Sequence, residues 1–330
     1  MGQSSLDALR SGLEAFLDDQ LGEPATVTDL EPVASVGNAR EPWSFTARWR
    51  GGEARCVMLV KAEAGQLETA LGPEFHTLAR LDGTGVPAPG ALWLDESGAW
   101  IGRPFFVTEL VAGSAETRLL RRPEEAEPAR AVALDLAAAA ARLHAVEVGR
   151  FEDHLEATSA DAAAATQLET WRELFLRQRL EPHPALVYGF TWLGRHLPVA
   201  SRVSLVHGDL RFGNLLHHHG RLTALLDWEM AHLGDPVEDL GWVYRALWSP
   251  ARALPFEAFL DAYVAAGGVP VGPEHLRWWQ VFAEVKHSTI SLTAGRSFAD
   301  GATRSLRHAD RAATLPAFIG RLLELVGERC

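Results

Sequence analysis

Lysine is almost missing from this chain. Of 31 lysines and arginines in 330 residues, only Lys61 and Lys286 are lysine. Cysteine is as scarce: Cys56 and Cys330 stand far apart with no metal-ligand spacing around them, which excludes a disulfide framework and a zinc site. No apolar run approaches the ~18 residues of a membrane span. The first residues, MGQSSLDALRSGLEAFLDD, form an amphipathic acidic stretch without the basic region or cleavage site of a leader, so the expectation is a cytoplasmic protein without a membrane partner. Positive charge is short overall, with a net charge of -12, which argues against the basic footprint of a nucleic-acid binder. The pattern G-x-x-x-x-G-K-[ST] is absent, which excludes a P-loop. What is present is 47% hydrophobic content, enough at this length for one large domain or two lobes.

One stretch holds polar groups where packing does not ask for them: VSLVHGDLRFGNLLHHHGRLTALLDWEMAHLGDPVEDL, residues 203–240. The apolar run Val203 to Val206 leads into His207, Gly208 and Asp209, with Asn214 five residues after the aspartate. A second apolar run, Leu222 to Leu226, ends in Asp227, and the segment His217 to Gly220 reads as the hairpin between the two. Protein kinases use D-x-x-x-x-N to pair a proton-accepting aspartate with a magnesium-holding asparagine. Magnesium prefers oxygen donors, one or two carboxylates beside substrate phosphates and water, and Asp227 with Asn214 fits that demand. Lone aspartates beside glycine more often cap turns; the combination favours chemistry.

HGDLRFGNLL followed by LLDWEMAHLGDPVEDLGW resembles the aminoglycoside phosphotransferase family, within the protein-kinase-like fold, and most closely the branch related to kinase-like domains fused to acyl-CoA dehydrogenases. The resemblance implies an α+β, two-lobed fold, with a small antiparallel sheet in the first lobe and a larger, mainly helical second lobe. It implies ATP and Mg2+ as cofactors and a small-molecule hydroxyl as acceptor. Asp209 would be the catalytic base, and Asn214 and Asp227 the metal ligands. Lys61, at the end of the apolar run Val57 to Val60, would contact the nucleotide phosphates, held by a helix glutamate; Glu74 is the candidate, with Glu63 and Glu68 as competitors. The backbone of Glu109 to Val111 would meet the adenine edge. The segment SVGNAREPWSF, whose one glycine is Gly37, would either cover the phosphates through backbone donors around Asn38 to Ser44 and the Ser44 hydroxyl, or be a plain hairpin.

Along the chain, periodicity predicts a helix over 4–20, strands at Thr26 to Val36, Trp43 to Trp49, Cys56 to Val60, Ala91 to Asp95 and Phe105 to Leu110, and a helix-like Gln66 to Leu81. Long helices follow at Ala129 to Val146, Asp161 to Leu180, Pro184 to Leu197, Val237 to Ala246, Phe256 to Ala266, Glu274 to Leu292 and Ser305 to Val326. The expected division is 1–110, a nucleotide-binding lobe, and 111–330, a helical lobe with catalytic and acceptor sites. His207 is expected to brace the catalytic loop, Asp239 to be a buried carboxylate accepting backbone N–H groups, and one of Trp278 and Trp279 to line the acceptor pocket. Glu229 and Asp235 stay outside the catalytic set. The function expected is phosphorylation of a metabolite hydroxyl, with a hydroxyacyl-CoA-like acceptor; an aminoglycoside O-phosphotransferase and an inactive nucleotide-binding module are the alternatives. Carboxylates near the C-terminal helices, Glu274, Glu284 and Asp300, are sparse and separated by aromatics, so efficient phosphorylation of aminoglycosides is not expected.

Overall fold

A computed structural model describes residues 3–33, 40–62, 70–120 and 122–327. The chain divides into two compact units, Met1–Gly83 with Ala88–Ala112, and Thr84–Pro87 with Gly113–Cys330.

The first unit runs α1 (Gln3–Leu21), β1 (Ala25–Pro32), β2 (Arg40–Trp49), β3 (Gly52–Lys61), α2 (Leu71–Leu81), β4 (Ala91–Asp95) and β5 (Phe105–Glu109). The strands form an antiparallel sheet in the order β1-β2-β3-β5-β4. Period-two alternation sends Trp43, Phe45, Cys56, Met58, Val60, Phe105 and Val107 to one face, where they bury against Leu13, Phe16 and Leu17 of α1. Phe16 meets Phe105 edge-on at 4.8 Å between ring centroids, a contact worth about 1 kcal/mol beyond its buried area. Burial also pushes the Cys56 thiol up to about 12, with the Glu109 carboxylate adding to the effect, which leaves it a core residue without thiolate chemistry. The opposite face carries Ser44, Val57, Leu59, Lys61, Phe106 and Thr108 by the same alternation.

The second unit holds α3 (Ala126–Ala145), α4 (Ala163–Gln178), α5 (Pro184–Arg195), β6 (Ser204–Val206), β7 (Leu215–His218), β8 (Arg221–Leu225), β9 (His232–Gly234), α6 (Val237–Val243), α7 (Phe256–Ala265), α8 (Pro273–Ala299), α9 (Leu306–Ala313) and α10 (Leu315–Val326). Six alanines of α3, Ala129, Ala133, Ala137, Ala139, Ala140 and Ala141, are buried together with Val132, Leu136 and Leu143, so the run is a close-packing helix. β7 and β8 form the expected hairpin, turning through His219 and Gly220, both with positive φ. β6 pairs with β9 antiparallel, Val206 opposite His232. These two short ladders hold the two ends of the polar stretch.

Several boundaries differ from expectation, among them α6, which ends at Val243, and α8, which runs on to Ala299. The first strand ends at Pro32. The helix expected over Ser305 to Val326 is two helices, because Pro316 sits at the start of α10, where its missing N–H is harmless, whereas inside a continuous helix it would break the ladder. Among the described residues, no helix is long and apolar enough to cross a membrane.

Candidate active site

Asp209 leaves β6 through a loop that its own backbone could not hold unaided. Gly208 has φ +79, and a Cβ there would lie 2.4 Å from the Met230 carbonyl oxygen, so only glycine fits this turn. The backbone N–H groups of His207 and Gly208 both donate to the carboxylate of Asp239, each at 2.9 Å. Burial opposes ionisation of Asp239, but the hydrogen bond and charge of His144, with His207, hold its carboxyl below the ordinary aspartate value. The imidazole of His207 completes the brace: Nε2 donates to the Leu226 carbonyl (3.1 Å) and Nδ1 accepts the Asp209 N–H (3.2 Å). Burial keeps this ring below its ordinary value, hence neutral, despite Asp239 and Asp209 nearby, as the accepting Nδ1 requires.

Asn214 joins the two halves of the site. Its Nδ2 donates to the Asp209 carbonyl (3.1 Å) and to Asp209 Oδ2 (2.6 Å). With both amide hydrogens committed, Oδ1 remains as the side-chain donor for a cation. Its own carbonyl accepts the N–H of Leu226 (2.8 Å), the residue before Asp227. Asp227 follows β8 in the left-handed region, φ 68 and ψ 61, a conformation that costs a side-chain-bearing residue energy and clusters at functional sites. Among the described residues no three His, Cys, Asp or Glu side chains converge as metal ligands. A divalent cation here would therefore take Asp227 and Asn214 from the protein and its remaining oxygens from elsewhere, the pattern of magnesium.

The remaining expectations fall within the first unit. Lys61 ends β3, exposed, and stands opposite Arg40 in the β2–β3 register. Glu74, in the first turn of α2, is buried and ion-paired with Arg40 at 2.9 Å. The expected Lys61–Glu74 pair is thus corrected: Arg40, presented on the same face as Lys61, is the cation at Glu74. Glu63 and Glu68 lie outside the described residues, as do Gly37 and Asn38. Arg40 to Ser44 belongs to β2, with backbone bonded into the sheet, so it is not a loop offering N–H groups to phosphate. Ser44 is four residues along β2 from the residue opposite Lys61, about 13 Å at strand rise. Ser44 instead stands in a row with Val57 and Thr108. At the end of β5, the Glu109 N–H donates to Gly90 (2.9 Å) and the Leu110 N–H to Arg55 (2.8 Å). The Glu109 carbonyl accepts the Thr108 hydroxyl (3.3 Å), and the Val111 backbone has no hydrogen bond among the described residues.

Residues 37–279 match the model of the phosphotransferase enzyme family. The chain belongs to that family. Among relatives, acyl-CoA dehydrogenase family member 10 of Mus musculus is 31% identical over 240 residues, covering 68% of this chain and 21% of the relative. Family member 11 of Rattus norvegicus is 27% identical over 249 residues, covering 74% and 32%. The chain thus spans about a fifth to a third of the length of these relatives. Among solved structures, a Ralstonia eutropha protein provisionally assigned as an aminoglycoside phosphotransferase aligns with a TM-score of 0.74 at 24% identity, covering 95% of this chain and 97% of that one. The macrolide 2'-phosphotransferase MphH of Brachybacterium faecium aligns at 0.59 and 23% identity, covering 92% and 97%. These likenesses show the fold.

In this phosphotransferase the structure also brings to Asp209 residues that the motif reading passed over. Trp242 Nε1 donates to Asp209 Oδ1 (2.6 Å), and Arg211 Nε reaches both oxygens (3.0 and 3.1 Å). Lys286, 1% exposed, donates to the Gly208 carbonyl (2.6 Å) and to Glu238 (2.9 Å). Its signal was its rarity. Trp278 and Trp279 are both buried, bonded to the Leu193 carbonyl and to Asp235, so neither lines a pocket. Asp235 also caps the Val237 N–H, a structural role.

Proposed function

We propose that this phosphotransferase is an ATP- and magnesium-dependent small-molecule kinase that transfers the γ-phosphoryl group to a hydroxyl. The carrying observation is that Asp209, Asn214 and Asp227 form one hydrogen-bonded construction, Asn214 bonded to Asp209 through its side chain and to the residue before Asp227 through its backbone. Asp209 would orient the acceptor hydroxyl and take its proton as the oxygen–phosphorus bond forms and the bond to the leaving ADP oxygen breaks. Asp227 and Asn214 would hold magnesium, which supplies neutralisation of phosphate charge. Lys61 would add a cation at the nucleotide phosphates, Glu74 would orient that region through Arg40, the row Ser44, Val57 and Thr108 would underlie the nucleoside, and Glu109 and Val111 would offer backbone groups to the adenine edge. In support, a fold neighbour, aminoglycoside phosphotransferase APH(4)-Ia, is known in complex with ADP and hygromycin B. The finer reading, a hydroxyacyl-CoA-like acceptor, is supported by the acyl-CoA dehydrogenase relatives.

Asp209→Asn tests the central role. Phosphorus NMR should show loss of acceptor-dependent ATP consumption by about 100-fold or more, while Mg-ATP binding persists. An Asp209→Asn protein that keeps most of its turnover would remove Asp209 from the role of base.

A further inference from the structure

Beside Asp209 the second unit gathers more guanidinium than a neutral acceptor needs. Arg211 uses Nε on the Asp209 carboxylate and Nη1, at 3.5 Å, on the Phe212 carbonyl, while Nη2 makes no hydrogen bond among the described residues. Its side chain is 22% exposed and its guanidinium lies over the Trp248 ring at 5.1 Å, a shelf that fixes the plane of the fork. Arg245 is already satisfied: it pairs with buried Glu284, bonds His287 Nδ1, and stacks over Trp242, Trp248 and Phe318. It is a wall and not a ligand. Arg311 on α9 is the third cation. Burial and Arg211 lower it, while Asp209 and Asp227 raise it. His287 is held well below its ordinary value by burial and by Arg245, Arg311 and Arg211, which marks the same convergence.

Glu284 belongs to Arg245, and in the proposed reaction Asp209 and Asp227 belong to the hydroxyl and the cation. A polycationic acceptor would meet the Arg211 guanidinium, whereas a carboxylate or phosphate would meet its Nη2, a charge-assisted donor. We infer that the acceptor carries a carboxylate or phosphate that seats on Nη2 of Arg211, with Trp248 beneath the guanidinium, so that its hydroxyl is delivered to Asp209. This rests on the kinase reading and narrows its substrate to anionic hydroxyl compounds.

The experiment is a mass-spectrometric search for products that gain one phosphoryl group. Protein and Mg-ATP are incubated with a metabolite extract separated by ion exchange into anionic, neutral and cationic fractions, the anionic fraction also being offered after phosphatase treatment. Acceptors should come from the anionic fraction; survival of phosphatase assigns the carboxylate and loss of activity assigns the phosphate. On the best acceptor, Arg211→Gln should raise the acceptor KM by at least about tenfold and abolish the preference over its methyl ester, with Mg-ATP affinity by calorimetry retained. Arg211→Lys should recover part of the preference. Products arising chiefly from the neutral or cationic fraction, or an Arg211→Gln enzyme with wild-type preference, would overturn the inference and leave the kinase reading standing. Mg-ATP binding without any phosphorylated product from any fraction would overturn both.

Discussion

Lys286 carries a charge into a site with 1% exposure, where it holds the carbonyl of Gly208 and the carboxylate of Glu238 and lies 5.0 Å from the Trp242 ring and 5.3 Å from that of Trp171. Glu238 in turn accepts from His232 at 3.1 Å. Burial opposes ionisation of Glu238, yet Lys286 and His232 hold its carboxyl below the ordinary value. Lys286→Met would leave that carboxylate with half its partners and the catalytic loop without its donor. We predict a loss of about 3–5 kcal/mol in chemical denaturation, with lower turnover from what remains folded; a loss below about 1 kcal/mol would show that Lys286 anchors nothing. That Asp209 and Asn214 meet was legible in the sequence because their spacing is local. Lys286 was not, because its partners lie 78 and 48 residues away and only packing brings them together. The role of Arg40 at Glu74 was hidden for the same reason, the two being 34 residues apart.

Among the elements, α8 does most to position the site. Over 27 residues it buries Trp278, Trp279 and Phe282, anchors the catalytic loop through Lys286, and presents Glu284 and His287 to the arginines. Its start was read within one residue, at Glu274 for Pro273; its end, read at Leu292, was not legible, since the helix continues past Gly295 as far as Ala299, packed on α9. His287 gives this helix a pH dependence. Its folded ring stays neutral well below the ordinary range, whereas the unfolded chain takes a proton near pH 6.5. The unfolded state therefore binds more protons in that window, and stability falls as pH falls below about 6.5, by about 1.4 kcal/mol per unit while the folded ring remains neutral. His232 acts with the opposite sign: despite burial, Glu238 holds it above its ordinary value, so its contribution is lost as pH rises. Thermal melts at pH 7.5 and 5.5 should show a drop in midpoint that is smaller in His287→Gln; equal drops would mean that His287 does not titrate on unfolding. The same region shows where element reading fails: Ser305 to Val326 has one helical period, and only the backbone chemistry of Pro316 divides it.

For the molecule as a whole, the sheet and helical units were legible because alternation and 3.6-residue periodicity survive in the sequence, and the family because its motifs sit in one stretch. The acceptor environment was not, because Arg211, the stretch with Trp242, Arg245 and Trp248, and Glu284 and His287 of α8 come from three separate segments that only packing brings together. Asp227, strained at φ 68, is the residue proposed to hold the cation through which the nucleotide is bound. Calorimetric titration of Mg-ATP into the folded wild-type and Asp227→Ala proteins measures it directly. The account predicts saturable binding to the wild type and a loss of at least about tenfold in affinity for Asp227→Ala; equal Mg-ATP affinity in two folded proteins would contradict it.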